Sequence, residues 1–156
     1  KMKVVYSDMR RNPEFEKTYN AQHLPMEKLL QESDFVSLNV PLFPSTRHLI
    51  STAEFALMKK NAFLVNTARG PIVDEKALLR ALRTGRIAGA GLDVFECEPA
   101  IDCDLTDKLE LKKFSNVILT PHTASATVEA RQAMSTLAAE NIIAALEGKA
   151  PPNVAR

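Results

Sequence analysis

The sequence predicts an α/β fold built on a parallel, doubly wound β-sheet. Short apolar runs alternate with amphipathic segments along all 156 residues. The runs are apolar throughout, as strands covered on both faces are, and each is followed by a helical pattern, the order a parallel sheet requires. Composition agrees, with 46% hydrophobic and 25% charged residues. That is enough apolar material for one sizeable core, and it is not the balance of a disordered chain.

"KVVYSD" (3–8) reads as a strand ending on an acid, and "NPEFEKTYNAQH" (12–23) as a surface connection. "LPMEKLLQESD" (24–34) fits a short helix with Pro25 near its first turn, where the missing N–H costs nothing. "FVSLNVP" (35–41) is a second strand stopped by Pro41. "STAEFALMKK" (51–60) opens with a capping-box pattern, Ser51 with Glu54 three residues on, and leads to the strand "AFLVN" (62–66). Asp74 is placed to cap the helix "EKALLRALRTG" (75–85), whose Ala77, Leu78, Ala81 and Leu82 share one stripe. "IAGAGLDVF" (87–95) is the fourth strand, and its small residues mark a place where something packs close to the backbone. A loop over 96–115 precedes the fifth strand, "NVILTPH" (116–122). A long helix from Thr127 to Glu147 ends at "GKAPPN".

The net charge of +1, from 20 Lys+Arg against 19 Asp+Glu, creates no field that calls for nucleic acid or an acidic membrane. The pairs Arg10-Arg11 and Lys59-Lys60 are too short to be binding tracts. Two cysteines, Cys97 and Cys103, and three scattered histidines give no zinc spacing and no disulfide framework, so no metal and a reduced, cytoplasmic setting are expected. No apolar run is long enough to span a bilayer and no signal-peptide pattern is present.

In parallel sheets ligands sit at the carboxyl ends of the strands. Asp8, Asn39, Asn66 through Arg69, Asp93 and His122 collect there. Asp8 reads either as a turn cap or as a carboxylate that bonds an adenosine ribose. The glycine-rich GxGxxG turn that should precede it in a Rossmann fold has no counterpart between Lys1 and Asp8. Either that reading fails, or the chain lacks its first strand and phosphate loop. Singly, Arg69, Glu98 and His122 read as a solvated arginine, a loop acid and a structural histidine. Together they fit carbonyl or hydroxy-acid chemistry. A guanidinium fork holds a carboxylate bidentately, and a histidine with an ordinary pKa of about 6.5 passes a proton. A neighbouring carboxylate favours the charged imidazole.

"LMKKNAFLVNTARGPIVDEKALLRAL" (57–82), "GRIAGAGLDVFECEP" (85–99), "NVILTPHTASAT" (116–127) and the ending "EGKAPPN" resemble, in order, signatures of the D-isomer-specific 2-hydroxyacid dehydrogenases, closest to the glyoxylate and hydroxypyruvate reductase branch. The resemblance implies a Rossmann-like doubly wound sheet, incomplete for want of its first strand and GxGxxG turn. Residues 1–126 would form a partial dinucleotide-binding domain, and 127–156 a long helix and tail returning toward a substrate domain outside this chain. It implies Arg69 as ligand of the substrate carboxylate, Glu98 rather than Glu96 as the acid that tunes the histidine, and His122 as proton donor. For the cofactor it implies Asp8 at the ribose, Asn39, Val40 and Pro41 on the adenine side, Thr46 nearby, Thr67 and Ala68 on the nicotinamide approach, and Asp93 at the carboxamide. Gly91 and Ala90 would allow close approach of the cofactor.

The implied activity is reduction of a small 2-oxo acid such as glyoxylate or hydroxypyruvate to its D-2-hydroxy acid. NAD is the implied cofactor, with NADP the alternative because Arg10 and Arg11 could meet a phosphate. The parent chain would be longer and a homodimer, with the 156-residue piece poorly active alone. Formate dehydrogenases share the "NTARG" region but place glutamine where Glu98 stands. Phosphoglycerate dehydrogenases share the three catalytic residue types. An NAD(H)-sensing corepressor of the same fold is the rival binding-module reading. The absent central strand is expected to split the sheet between the strand ending at Asp8 and the strand ending at Asn66.

Overall fold

A computed structural model describes residues 2–98 and 110–154. The chain divides into two compact units, Lys1–Pro121 and His122–Arg156. In the first, chain order gives β1 (Val5–Tyr6), α1 (Pro13–Tyr19), β2 (Gln22–His23), α2 (Met26–Glu32), β3 (Phe35–Leu38), α3 (Thr52–Leu57), β4 (Phe63–Asn66), a 3-10 turn (Gly70–Ile72), α4 (Glu75–Arg83), β5 (Gly89–Leu92) and β6 (Val117–Leu119). β1 pairs with β2, and β3, β4, β5 and β6 form a second sheet in that order. Every pairing is parallel.

Two sequence expectations are corrected. The stretch 12–23 is not a plain connection: it folds as α1 and β2. Asn12 caps α1 by accepting the Phe15 N–H at 3.0 Å, and Asn20 closes it in the left-handed region at φ 51°. α1 buries no residue, so it carries no apolar stripe from which a helix could be read. The break in the sheet falls between β1–β2 and β3, not beside β4. Phe63 of β4 is in register with Phe35 on one side and Gly89 on the other, so both edges of β4 are occupied. Among the described residues, β1, β2, β3 and β6 each have one neighbour.

Strand residues alternate in burial. Val36, Leu38, Leu64, Ala90 and Leu92 point into one core with Leu30 of α2, Phe55 of α3, and Leu78, Ala81 and Leu82 of α4. Ala90 therefore belongs to the core and does not face a ligand. On the opposite face Phe35 and Phe63 stack with centroids 5.6 Å apart. Phe35 and Ile118 of that face are 65% and 71% exposed, so within this unit the helices cover one side of the sheet.

The predicted caps are present. Glu54 accepts from the Ser51 N–H at 3.0 Å, Asp74 accepts from the Ala77 N–H at 3.0 Å, and Gly85 follows α4 at φ 63°. In the second unit, α5 (Val128–Leu146) begins with Thr127 accepting the Ala130 N–H at 3.1 Å and buries no residue. The Asn153 N–H donates to the Asn141 side chain at 3.0 Å, turning the tail back on the helix. No helix among the described residues is long and apolar enough to cross a membrane.

Candidate active site

The loop carrying Arg69 is built around a buried amide. The strand period places Asn66 on the same inward face as Leu64, and it is 1% exposed. Its Oδ1 accepts from the Ala68 N–H at 3.1 Å and its Nδ2 donates to the Arg69 carbonyl at 2.9 Å. Its own carbonyl accepts from the Asp93 N–H at 3.0 Å. The Asn66 side chain thus holds the Ala68 N–H and the Arg69 carbonyl, while its backbone carbonyl ties the loop to the end of β5. Sequence reading placed Asn66 on the rim but gave it no role. The available signal was a polar residue at an inward strand position.

Gly70, next along, is pressed against the segment after β5. A Cβ there would lie 1.8 Å from the Phe95 carbonyl oxygen and 2.5 Å from the Glu96 nitrogen. Any side chain would force apart the two segments that carry Arg69 and Glu98. Arg69 itself is exposed, with backbone extended at φ −145°, and Nη1 donates to the Ala68 carbonyl at 2.7 Å.

A groove of about 610 Å³ opens at the carboxyl ends of β3 and β4, lined by Asn39, Val40, Pro41 and Leu42 on one side and Thr67, Ala68 and Arg69 on the other. Five sequence-predicted cofactor residues therefore share a cavity with the predicted substrate ligand. Leu42 was not predicted. Val40 and Ala68 pack against the core, which anchors both walls. The Asn39 amide donates to Ser37 Oγ at 3.2 Å.

Thr46 is absent from the lining and instead shapes the loop. Its hydroxyl donates to the Pro41 carbonyl at 2.7 Å and accepts from the Phe43 N–H at 2.7 Å. Asp93 is 4% exposed at the end of β5, where the Thr120 hydroxyl donates to it at 2.5 Å. Gly91 leaves the neighbouring surface open, since a Cβ would meet only Val65 Cγ2 at 4.0 Å.

Glu96 and Glu98 have different settings. Glu96 pairs with His48 Nε2 at 2.5 Å and Arg47 at 3.3 Å, and its N–H donates to the buried Glu75 at 2.6 Å. Glu98 is exposed at the end of the first described stretch. Cys97 between them is disulfide-bonded, which corrects the expectation that the cysteines form no bridge. The other cysteine of the sequence, Cys103, lies outside the described residues. His122, the first residue of the second unit, is exposed with left-handed backbone at φ 55°. No group of three or more metal-ligating side chains occurs among the described residues.

Asp8 lies just past β1, exposed. One carboxylate oxygen accepts from the Arg10 N–H at 3.3 Å, the turn-cap arrangement, and its carbonyl faces His23 Nε2 at 3.0 Å. Arg11 is engaged by Glu16 through two hydrogen bonds, Nε to Oε1 at 3.0 Å and Nη2 to Oε2 at 2.6 Å. The Tyr6 hydroxyl donates to Glu16 Oε1 at 2.7 Å and accepts from the Asn12 N–H at 2.7 Å. The Arg11 bonds, then the Tyr6 bond, pull the Glu16 carboxyl from its ordinary 4.5 down to about 2.

The family profile described as "D-isomer specific 2-hydroxyacid dehydrogenase, NAD binding domain" matches residues 1–124. The glyoxylate reductase of Korarchaeum cryptofilum is 51% identical over 153 residues, covering 98% of this chain and 45% of its own length. That of Thermococcus litoralis is 50% identical, at 98% and 44%. Among solved structures, the NAD-complexed D-isomer specific 2-hydroxyacid dehydrogenase of Lactobacillus delbrueckii ssp. bulgaricus superposes with a TM-score of 0.90 at 35% identity, covering 99% of this chain and 48% of that one. A glyoxylate reductase from Paecilomyes thermophila gives 0.84 at 38%, covering 96% and 44%. The chain spans less than half the length of each of these relatives.

Proposed function

Because this chain belongs to the D-isomer-specific 2-hydroxyacid dehydrogenase family, as part of its NAD-binding domain, we propose that it forms the cofactor side of an oxidoreductase that reduces a small 2-oxo acid to its D-2-hydroxy acid. The observation that carries the reading is the groove at the ends of β3 and β4, where the predicted adenine-side and nicotinamide-side residues line one cavity that ends on Arg69. Its residues fit a dinucleotide. The walls combine apolar Val40, Pro41 and Ala68 with polar Asn39 and Thr67, as small-molecule sites do, and Asp93 is held nearby in sequence at the end of the next strand. The diphosphate-binding turn is not among these residues.

Bound nicotinamide would supply the hydride to C2 of the substrate. Arg69 would hold the substrate carboxylate and stabilise charge developing on the carbonyl oxygen. His122 would give that oxygen its proton, and Glu98 would favour the charged form of the imidazole. The commitment of Glu96 to His48, Arg47 and Glu75 supports Glu98 as the acid of this set. The identities near 50% to proteins named glyoxylate reductase favour glyoxylate as substrate.

The test is NADH oxidation by the protein that carries this chain, with glyoxylate, hydroxypyruvate and pyruvate compared. Turnover of glyoxylate with the highest kcat/KM is expected. Binding of NADH without turnover of any 2-oxo acid would overturn the catalytic reading in favour of an NADH-sensing binding module.

A further inference from the structure

The turn after β1 carries two arginines, and the structure treats them differently. Arg11 is held by both carboxylate oxygens of Glu16, and that carboxylate is held in turn by the Tyr6 hydroxyl, whose oxygen also takes the Asn12 N–H. Tyr6 belongs to β1 and Glu16 to α1, so the clamp ties the turn to both elements it joins. Tyr6 is fixed further by edge-on contacts with Phe15 and His23, centroids 5.4 Å and 5.1 Å away. Glu16 is the less exposed partner, 18% against 67% for Arg11, so the acid is the fixed member and the guanidinium is drawn to it. Glu16 stays ionised at any pH above its lowered value of about 2. The Arg10 guanidinium makes no hydrogen bond or ion pair with a described residue, while its N–H is taken by Asp8.

Asp8, Arg10, Arg11 and Glu16 together carry no net formal charge. A dinucleotide with a free 2'-hydroxyl needs only an acceptor at that point, which Asp8 offers. One with a 2'-phosphate needs positive charge and forked donors to offset about two negative charges. With Arg11 committed, Arg10 is opposed by Asp8 in the same turn, and the turn offers no net attraction to an added phosphate.

Resting on the reading that Asp8 faces the adenosine ribose, we propose that Glu16 is a cofactor-selectivity residue: by clamping Arg11 it withholds the second arginine from a 2'-phosphate and biases the site toward NAD over NADP. Selectivity is then set by the acid in α1 together with the acid at the end of β1. The arginine pair, read from sequence alone, points the opposite way.

The test is equilibrium binding of NADH and NADPH, followed by nucleotide fluorescence, to the wild-type protein that carries this chain, to Glu16→Gln and to Glu16→Gln/Arg11→Gln. Wild type is expected to bind NADH more tightly. E16Q releases Arg11 and removes a negative charge, and is expected to tighten NADPH about tenfold, the size of one charge-assisted hydrogen bond, with NADH changed less than about twofold. The double variant replaces the ion pair by a neutral pair and is expected to return NADPH to within about twofold of wild type. An unchanged NADPH-to-NADH ratio in E16Q, with NADH binding retained, overturns the proposal alone. So does a double variant that keeps the E16Q gain, or one that loses NADPH affinity several-fold relative to wild type. The last comparison stands even if E16Q alone does not fold. Failure of wild type to bind either nucleotide overturns the dinucleotide reading and the proposal with it.

Discussion

The two polar regions of the first unit are built by opposite means. The loop after β4 is fixed from within: a 1% exposed amide holds the Ala68 N–H and the Arg69 carbonyl, and a glycine lies flush against the Phe95–Glu96 backbone. The turn after β1 is fixed from outside, by an exposed arginine clasped to an acid that also accepts a tyrosine hydroxyl. A buried arrangement leaves nothing to adjust, which suits a group that must meet reacting atoms within a few tenths of an ångström. An exposed clamp can be retuned by one charge change at little cost to the fold, which suits a choice between cofactors. The first region should therefore fail as structure when altered, and the second should change preference while the fold holds.

The largest expected effect is at Gly70. Gly70→Ala places a methyl carbon inside the Phe95 carbonyl, and relief requires backbone movement rather than a rotamer change. We expect destabilisation of about 3 kcal/mol or more, the upper range for overpacking, read as a lower melting temperature. A G70A protein that melts within a degree of wild type would mean the contact is looser than described.

Asn66→Ala should cost about 2 kcal/mol, since it strands the part-buried Ala68 N–H and removes one of the two donors to the Arg69 carbonyl, leaving only the Ile72 N–H. Because those groups flank Arg69, kcat/KM should fall as well while the affinity for NADH is kept. Asn66→Asp keeps the bond to the Ala68 N–H but sets a carboxylate oxygen against the Arg69 carbonyl, so it should rescue neither quantity. Rescue by Asp would show that the donor to Arg69 is unimportant.

On the other side of the comparison, Glu16→Gln should move the melting temperature by no more than about 2 °C at neutral pH, as expected for an exposed pair. The clamp should also resist acid. Glu16 has its carboxyl pKa lowered in the fold, so its stabilising contribution is fully present above its ordinary 4.5 and is lost as pH falls toward about 2. A carbon-13 titration of the Glu16 carboxyl should find its midpoint well below 4.5. A midpoint at or above that value would show the clamp to be open in solution.

The same contrast governs what could be read from sequence. β3, β4, β5, α4 and α5, with the caps at Ser51 and Asp74, are legible because apolar period and capping residues are local signals. α1 and β2 were not, because a helix that buries nothing and a two-residue strand leave no periodicity. The position of the break is not legible because strand adjacency is a tertiary property: nothing local in residues 35–38 or 63–66 shows that they pair. In the site, chain order alone set Asn39 and Asn66 to Arg69 at the ends of strands, while Val40 and Pro41 entered only through the family resemblance. The inward Asn66 and the Tyr6–Glu16–Arg11 clamp depend on which side chains meet across elements. The sequence displays the charge of Arg11 but not its partner Glu16.

Arg69, at the end of this groove, is proposed to bind the carboxylate of a 2-oxo acid. The direct measurement compares wild type with Arg69→Ala in the protein that carries this chain, recording NADH affinity and kcat/KM for glyoxylate together. NADH affinity is expected to stay within about twofold of wild type and kcat/KM to fall by at least about a hundredfold, as loss of a transition-state charge contact would cause. An Arg69→Ala protein that binds NADH and reduces glyoxylate at near wild-type kcat/KM would contradict it.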